Sequence, residues 1–182
     1  MRRPLLLGLF LVALALFSVA QSADKADTPM ASKTPADGYT AHVTAKHLVN
    51  GHEMGPFHHY CKVMTDDPVI VCQIYDSADP NGMMSQVEFI IAKKLTRPTV
   101  ALGEWNKNWH DHAVEIATGN VKVLDVPEDK AKQVAELVAT TDGIIYSFEF
   151  DKSGKVPTGK IFHAQAVGHK PLSADEYKKS AQ

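Results

Sequence analysis

The sequence predicts an α+β domain: a mainly antiparallel β-sheet with one clear helix, at about residues 127–141, in a single domain. Two observations carry this. Six segments rich in β-branched and aromatic residues alternate with turn-forming stretches. A single segment has both a helical apolar stripe and helix start signals. Composition agrees, because 182 residues with 45% hydrophobic, 22% charged, Gly 11 and Pro 10 fit one ordinary globular domain. Collagen-like, fully disordered and multi-span membrane chains are excluded on the same figures.

Residues 1–20 read as a cleavable signal peptide. Arg2 and Arg3 precede an apolar run from Leu5 to Val19, and Ser18-Val19-Ala20 offers small residues for cleavage. The run is short for a bilayer span, which disfavours a retained anchor. Removing it takes two arginines and no acid, leaving 17 basic against 21 acidic side chains, a charge of −4. That balance lacks the basic footprint of a nucleic-acid binder. The expected location is periplasmic or secreted. Residues 21–38, rich in Ala, Ser, Asp, Thr and Pro, read as a flexible linker. The folded domain is expected over residues 39–170, followed by a C-terminal tail at 171–182 with a short frayed helix.

Within the domain, His58–Met64 and Val69–Tyr75 flank Thr65-Asp66-Asp67-Pro68 and read as a β-hairpin. Gln86–Ala92 and His112–Val126 read as strands, the second interrupted at Thr118-Gly119-Asn120. Ile144–Asp151 and Lys160–Val167 complete the set around the turn-rich Lys152-Ser153-Gly154-Lys155. The helix opens at Pro127 with Glu128 and Asp129, carries Val134, Leu137 and Val138 as a stripe, and closes at Gly143. A weaker helical stretch spans Pro98 to Trp109.

With a two-residue loop at Asp66-Asp67, residues paired across the hairpin have numbers that sum to 133, which sets Cys61 opposite Cys72. Opposed Cβ atoms lie about 4.5–5.5 Å apart, within reach of a disulfide once the strands twist. An oxidising destination favours closure. The competing readings are two buried thiols, or a thiolate metal ligand beside His58 and His59, and a closed pair would exclude the latter.

Several of these segments also carry a resemblance. His58-His59-Tyr60-Cys61, Gln73-Ile74-Tyr75-Asp76 after Cys72, and Val87-Glu88-Phe89-Ile90 are similar to the oil body-associated protein family. Trp109-His110-Asp111-His112 with Glu115 and Gly119 extends the similarity, as does Leu137-Val138 ahead of Asp142-Gly143. Together they cover about Leu48 to Gly159. The family takes its name from plant members found with seed lipid bodies and also has bacterial members. The chain departs from the plant pattern in its export signal and in Ile145-Tyr146-Ser147-Phe148, where plant members tend to carry Trp and His. The resemblance implies a fold and a set of motifs, with a lipid or envelope partner as one option.

Nine His residues concentrate the chemistry. His110 and His112 are two apart and share a strand face, the spacing by which a β-fold presents two imidazoles to one metal. His58 and His59 point to opposite faces, so one of them joins a given site. Glu115, three beyond His112, faces away on a regular strand unless a bulge turns it back. Glu88 lies in an otherwise apolar strand, where a carboxylate needs a partner. His58, His59, Glu88, His110 and His112 therefore form the expected ligand pool, of a type that suits a divalent transition metal such as zinc, copper or iron. Trp109 and Tyr60 are expected to wall the site from water. His42, His47, His52, His163 and His169 read as surface or structural, with His52-Glu53 as a further outer ligand.

The sequence contains no Gly-x-Ser-x-Gly, phosphate-binding loop, dinucleotide fingerprint or Cys-x-x-Cys. Metal-assisted chemistry is then the catalytic route its residues permit. Three functions stay open: a metal-binding protein, a metal-dependent enzyme, and a non-enzymatic envelope or lipid-associated domain whose His cluster packs the core.

Overall fold

A computed structural model describes residues 34–180. The residues of the expected signal peptide, and of the linker up to 33, lie outside those described. Eight strands and five short helices follow in the order β1 (Ala41–Val49), β2 (His52–Thr65), β3 (Val69–Tyr75), β4 (Met84–Ala92), α1 (Lys93–Thr99), α2 (Leu102–Asn108), β5 (Trp109–Asp111), α3 (His112–Thr118), β6 (Lys122–Leu124), α4 (Glu128–Val138), β7 (Thr141–Phe150), β8 (Pro157–Ala166) and α5 (Ala174–Lys179). The sheet is antiparallel as expected, but the single expected helix is one of five.

The sheet runs β2-β3-β4-β7-β8-β1, and β1 pairs again with β2, so the path returns to its start. Six strands thus close into a barrel, which removes the open edges that an antiparallel sheet would otherwise expose. β6 attaches beside β1, and β5 beside β7. β8 pairs with β7 as far as Ile145↔Ala164, and β5 takes over that edge of β7 from Trp109↔Ile144.

Alternation then divides each strand between two cores. Inside, Phe57, Cys61, Ile70, Cys72, Ile74, Ile90, Ile145 and Ala164 pack together. Outside, Trp105, Trp109, Ile144 and Tyr177 form a second cluster under the helices. The hairpin register is the expected one from His58↔Tyr75 through Cys61↔Cys72 to Val63↔Ile70, all summing to 133. The loop, however, is Asp66-Asp67-Pro68 rather than two residues, because the register shifts so that Thr65 pairs with Val69. Cys61 and Cys72 are joined by a disulfide, with Cα atoms 4.0 Å apart.

Several sequence expectations are corrected here. His112–Val126 is not a strand, because Asp111 accepts a hydrogen bond from Ala113 N and caps α3, which ends at Gly119 with φ 70°. Only Lys122–Leu124 of that segment pairs as β6. The helical stretch at 98–109 becomes α1 and α2, broken at Val100, whose backbone is extended. The helix expected at 127–141 stops at Val138, and Gly143 is a β7 residue rather than its closing turn. β1 was read as no element, although Ala41, Val43, Ala45 and His47 alternate inward. The tail is docked: Ser173 and Glu176 form a capping box on α5, and buried Tyr177 donates its hydroxyl to Val100 O at 2.7 Å.

Candidate functional site

Inside the barrel, the apolar core is interrupted by six ionisable side chains: His47 (β1), His59 (β2), Glu88 (β4), His110 (β5), and His112 and Glu115 (α3). None is more than 3% exposed. Desolvating that many ionisable groups is costly unless they satisfy one another or share a cation.

Three donor atoms converge, with a fourth beside two of them. Glu88 Oε1 lies 3.1 Å from His110 Nε2 and 3.2 Å from His112 Nε2. Glu115 Oε2 lies 3.6 Å from the first and 3.8 Å from the second. A tetrahedral ion with bonds of about 2.0–2.1 Å places its ligands about 3.3 Å apart. The four separations straddle that value. Glu88, His110 and His112 offer ligand atoms all within 4.8 Å of one another.

Hydrogen bonding aims the lone pairs at this point. Thr141 Oγ1 donates to Val138 O at 2.6 Å, so it accepts from His112 Nδ1 at 3.0 Å. His112 then carries its proton on Nδ1 when neutral, and its Nε2 lone pair faces Glu88. Neither ring nitrogen of His110 has a hydrogen-bond partner among the described residues. Its Nδ1 has no polar partner among them and its Nε2 meets Glu88 at 3.1 Å without hydrogen-bond alignment, which marks a buried imidazole that an ion or proton would complete.

The electrostatics follow from packing. Burial pushes the Glu88 carboxyl up, but the combined pull of His110 and His112 outweighs it and holds the group well below the usual carboxylate range. Burial pushes His112 down, and its hydrogen bond to Glu88 with the charge of Glu88 reverses that, raising it. Burial raises Glu115. Burial also lowers His59, and with repulsion from His59 it pushes His47 down to about 3.

Supporting elements fix these positions. Gly143 pairs with both Ile90 and His110, and a Cβ there would collide with Glu88 Oε1 and the His110 ring. The adjacent Asp142 accepts from Arg97 Nε at 2.7 Å and Nη2 at 2.6 Å. Arg97 stacks on Trp105, 4.4 Å from its ring centre, and reaches Asp111 at 3.2 Å. This network pins β5 to β7, and with it the His110-to-His112 segment. A cavity of about 110 Å³ opens beside the cluster. Its surface is almost wholly apolar, with Val134 and Leu137 of α4 among its lining, and His47, His59, Glu88, His112 and Glu115 border it.

Of the expected ligand pool, His59, Glu88, His110 and His112 meet inside the barrel. His58 does not: it lies on the outer face, with Nδ1 2.9 Å from His42 Nε2, and His42 Nδ1 is 2.6 Å from Asp125 Oδ2. Tyr60 stacks on His42 there and walls nothing of the cluster. Trp109 belongs to the outer core. His52 is exposed at the β1–β2 turn, and Glu53 pairs with Lys46 instead. Glu115 joins because α3 is helical, where residues three apart share a face. The sequence reading missed His47, whose signal was its inward parity with Val43 and Ala45 on an alternating segment.

Comparison with known proteins places this arrangement in context. Residues 33–174 match the family described as "Protein of unknown function (DUF1264)". Among curated proteins, the chain is 30% identical over 105 residues to "Oil body-associated protein 1B" of Arabidopsis thaliana, covering 56% of this chain and 42% of that one. It is 26% identical over 163 residues to "Oil body-associated protein 2C" of Arabidopsis thaliana, covering 86% of this chain and 67% of that one. It is 26% identical over 109 residues to "Oil body-associated protein 2B" of Zea mays, covering 59% and 42%. The matched stretch thus spans about two fifths of the first and third of these relatives. No solved structure matches.

Proposed function

The chain belongs to the oil body-associated protein family, and from that premise we propose that it is a metal-binding member, holding a divalent transition ion on Glu88, His110, His112 and Glu115. One observation carries the reading: three buried donors, Glu88, His110 and His112, at ion-ligand separations, with Glu115 close to both imidazoles. Two carboxylates balance a divalent charge, and two imidazoles with two carboxylates suit zinc, iron(II) or copper(II).

The proposed setting is an exported one. The apolar, arginine-led segment of residues 1–20 and the disulfide between Cys61 and Cys72 support it, since thiols in reducing compartments stay open.

A second reading, a metal-dependent enzyme at the same centre, is favoured by the cavity beside Glu88, His112 and Glu115. A bound ion there would meet a small molecule as well as protein ligands. Association with lipid or an envelope partner, which the relatives' names bring to mind, has no comparable feature behind it.

Elemental analysis of protein purified without a His-tag tests the proposal. At least one equivalent of ion per chain is expected; the double variant His110→Ala/His112→Ala should lose the equivalent those two imidazoles hold, and His169→Ala should keep the full stoichiometry. Wild-type protein that retains no zinc, copper or iron after loading would refute it. The cluster would then be a proton-sharing core, and the non-enzymatic binding domain would be the better reading.

A further inference from the structure

We infer that the barrel interior holds a second metal position, built from His47 Nε2, His59 Nε2 and Glu88 Oε2, so that the Glu88 carboxylate bridges two ions. The inference rests on the reading of the first ion given above.

The two imidazoles are set up as ligands by their own partners. His47 Nδ1 is 2.6 Å from Gln86 Oε1, an acceptor, so Nδ1 carries the proton. His59 Nδ1 is 3.2 Å from Phe57 O, which only accepts, so Nδ1 is again the donor. In both rings the remaining Nε2 presents a lone pair. The two Nε2 atoms lie 3.1 Å apart. Facing lone pairs repel in a dry interior, and a cation between them turns the repulsion into two bonds. With metal–nitrogen bonds of about 2.0–2.1 Å, ligands 90° to 110° apart stand about 2.9–3.4 Å from each other. The observed separation falls inside that range.

Glu88 supplies the connection. Its Oε1 serves His110 and His112, whereas its Oε2 lies 3.7 Å from His59 Nε2. The two oxygens of one carboxylate therefore face different sides, Oε1 the His110–His112 pair and Oε2 His59, which in turn meets His47. A bridging carboxylate holds two ions about 3.5–4 Å apart, the spacing of two-metal sites in hydrolytic enzymes. A carboxylate serving one ion alone would leave Oε2 and the His47–His59 pair without a role.

The charge points to a further ligand. Two divalent ions bring four positive charges, and Glu88 and Glu115 cancel two. A hydroxide on the cavity side would halve what remains and a dianionic oxyanion would cancel it, and His47, His59, His112 and Glu115 all border that cavity. The buried pair would otherwise carry uncompensated charge.

The experiment strips the untagged protein with a chelator and titrates it with copper(II). Two equivalents per chain are expected, with the magnetic resonance signal at saturation reduced by coupling between neighbouring ions. His47→Ala should bind one equivalent and restore an isolated, full-intensity signal. Wild-type protein that saturates at one equivalent, or binds two with uncoupled full-intensity spectra, would overturn the second position while leaving the first. Binding of none would overturn both. The wild-type spectrum decides the matter even if His47→Ala does not fold.

Discussion

At the scale of single residues, the cluster depends on what is absent as much as on what is present. Gly143 has no special φ; it is needed because Glu88 and His110 occupy the space a side chain would fill. Gly143→Ala should lower metal affinity at least tenfold, read by competition with a chromophoric chelator, because both ligands must shift. Thr141 acts through His112 by accepting from Nδ1, and such outer partners are worth about 10–100-fold in metal affinity. Thr141→Val should show a loss in that range by the same assay. His58→Ala provides the contrast: its ring lies on the outer face beside His42, so affinity should stay at the wild-type value.

At the scale of elements, two links hold the ligand-bearing segments in place. The disulfide ties β2 to β3, directly across from Glu88 on β4. Mass spectrometry of alkylated, non-reduced protein should find no labelled thiol. The Cys61→Ser/Cys72→Ser variant should lose about 3 kcal/mol in urea unfolding, the cost expected for a short closed loop. The second link is the buried pair between Arg97 and Asp142, which binds α1 to β7. Asp142→Ala leaves a guanidinium buried between Trp105 and Tyr177 without its bidentate carboxylate, with only Asp111 at 3.2 Å. Such a change costs about 3–5 kcal/mol, so the midpoint of chemical unfolding should fall sharply. A variant as stable as wild type would show that solvent reaches Arg97.

At the scale of the whole molecule, closing the barrel makes its interior dry, and dryness gives stability a pH dependence. Folded His47 resists protonation down to about 3, whereas in the unfolded chain it takes a proton near 6.5. As pH falls below 6.5, the unfolded state gains a proton that the folded state refuses, so stability falls. Lowered His59 acts in the same direction, and the contribution of Glu88 is present above 4.5 and lost as pH falls through its depressed value. Raised His112 acts oppositely: its contribution is present below 6.5 and lost as pH rises through its folded value. In metal-free protein, the His47→Gln variant should therefore lose less stability than wild type between pH 6.5 and 4.5. The difference expected from one such group is about 2–3 kcal/mol, measured by urea unfolding at each pH. Equal slopes in the two proteins would show that His47 takes up its proton in the folded state.

Local rules were enough for the parts of this protein whose partners lie close in sequence. The β2–β3 hairpin, its register and the Cys61–Cys72 bond follow from one turn and the two-residue alternation of strands. The helix at Glu128 is marked by Pro127 and an acidic first turn. His110, His112 and Glu88 could be singled out because a His pair at short spacing and a carboxylate in an apolar strand are chemically conspicuous. Tertiary structure decided the rest. Whether His58 or His59 faces inward depends on which side of the hairpin the barrel closes, and neither turn nor alternation carries that information. Glu115 enters the cluster because Asp111 starts a helix where the composition reads as strand. His47 enters because β1, far from β8 in sequence, pairs with it and with β2 to complete the ring. Pairings of that range are set by the burial of the whole interior, which no single segment encodes.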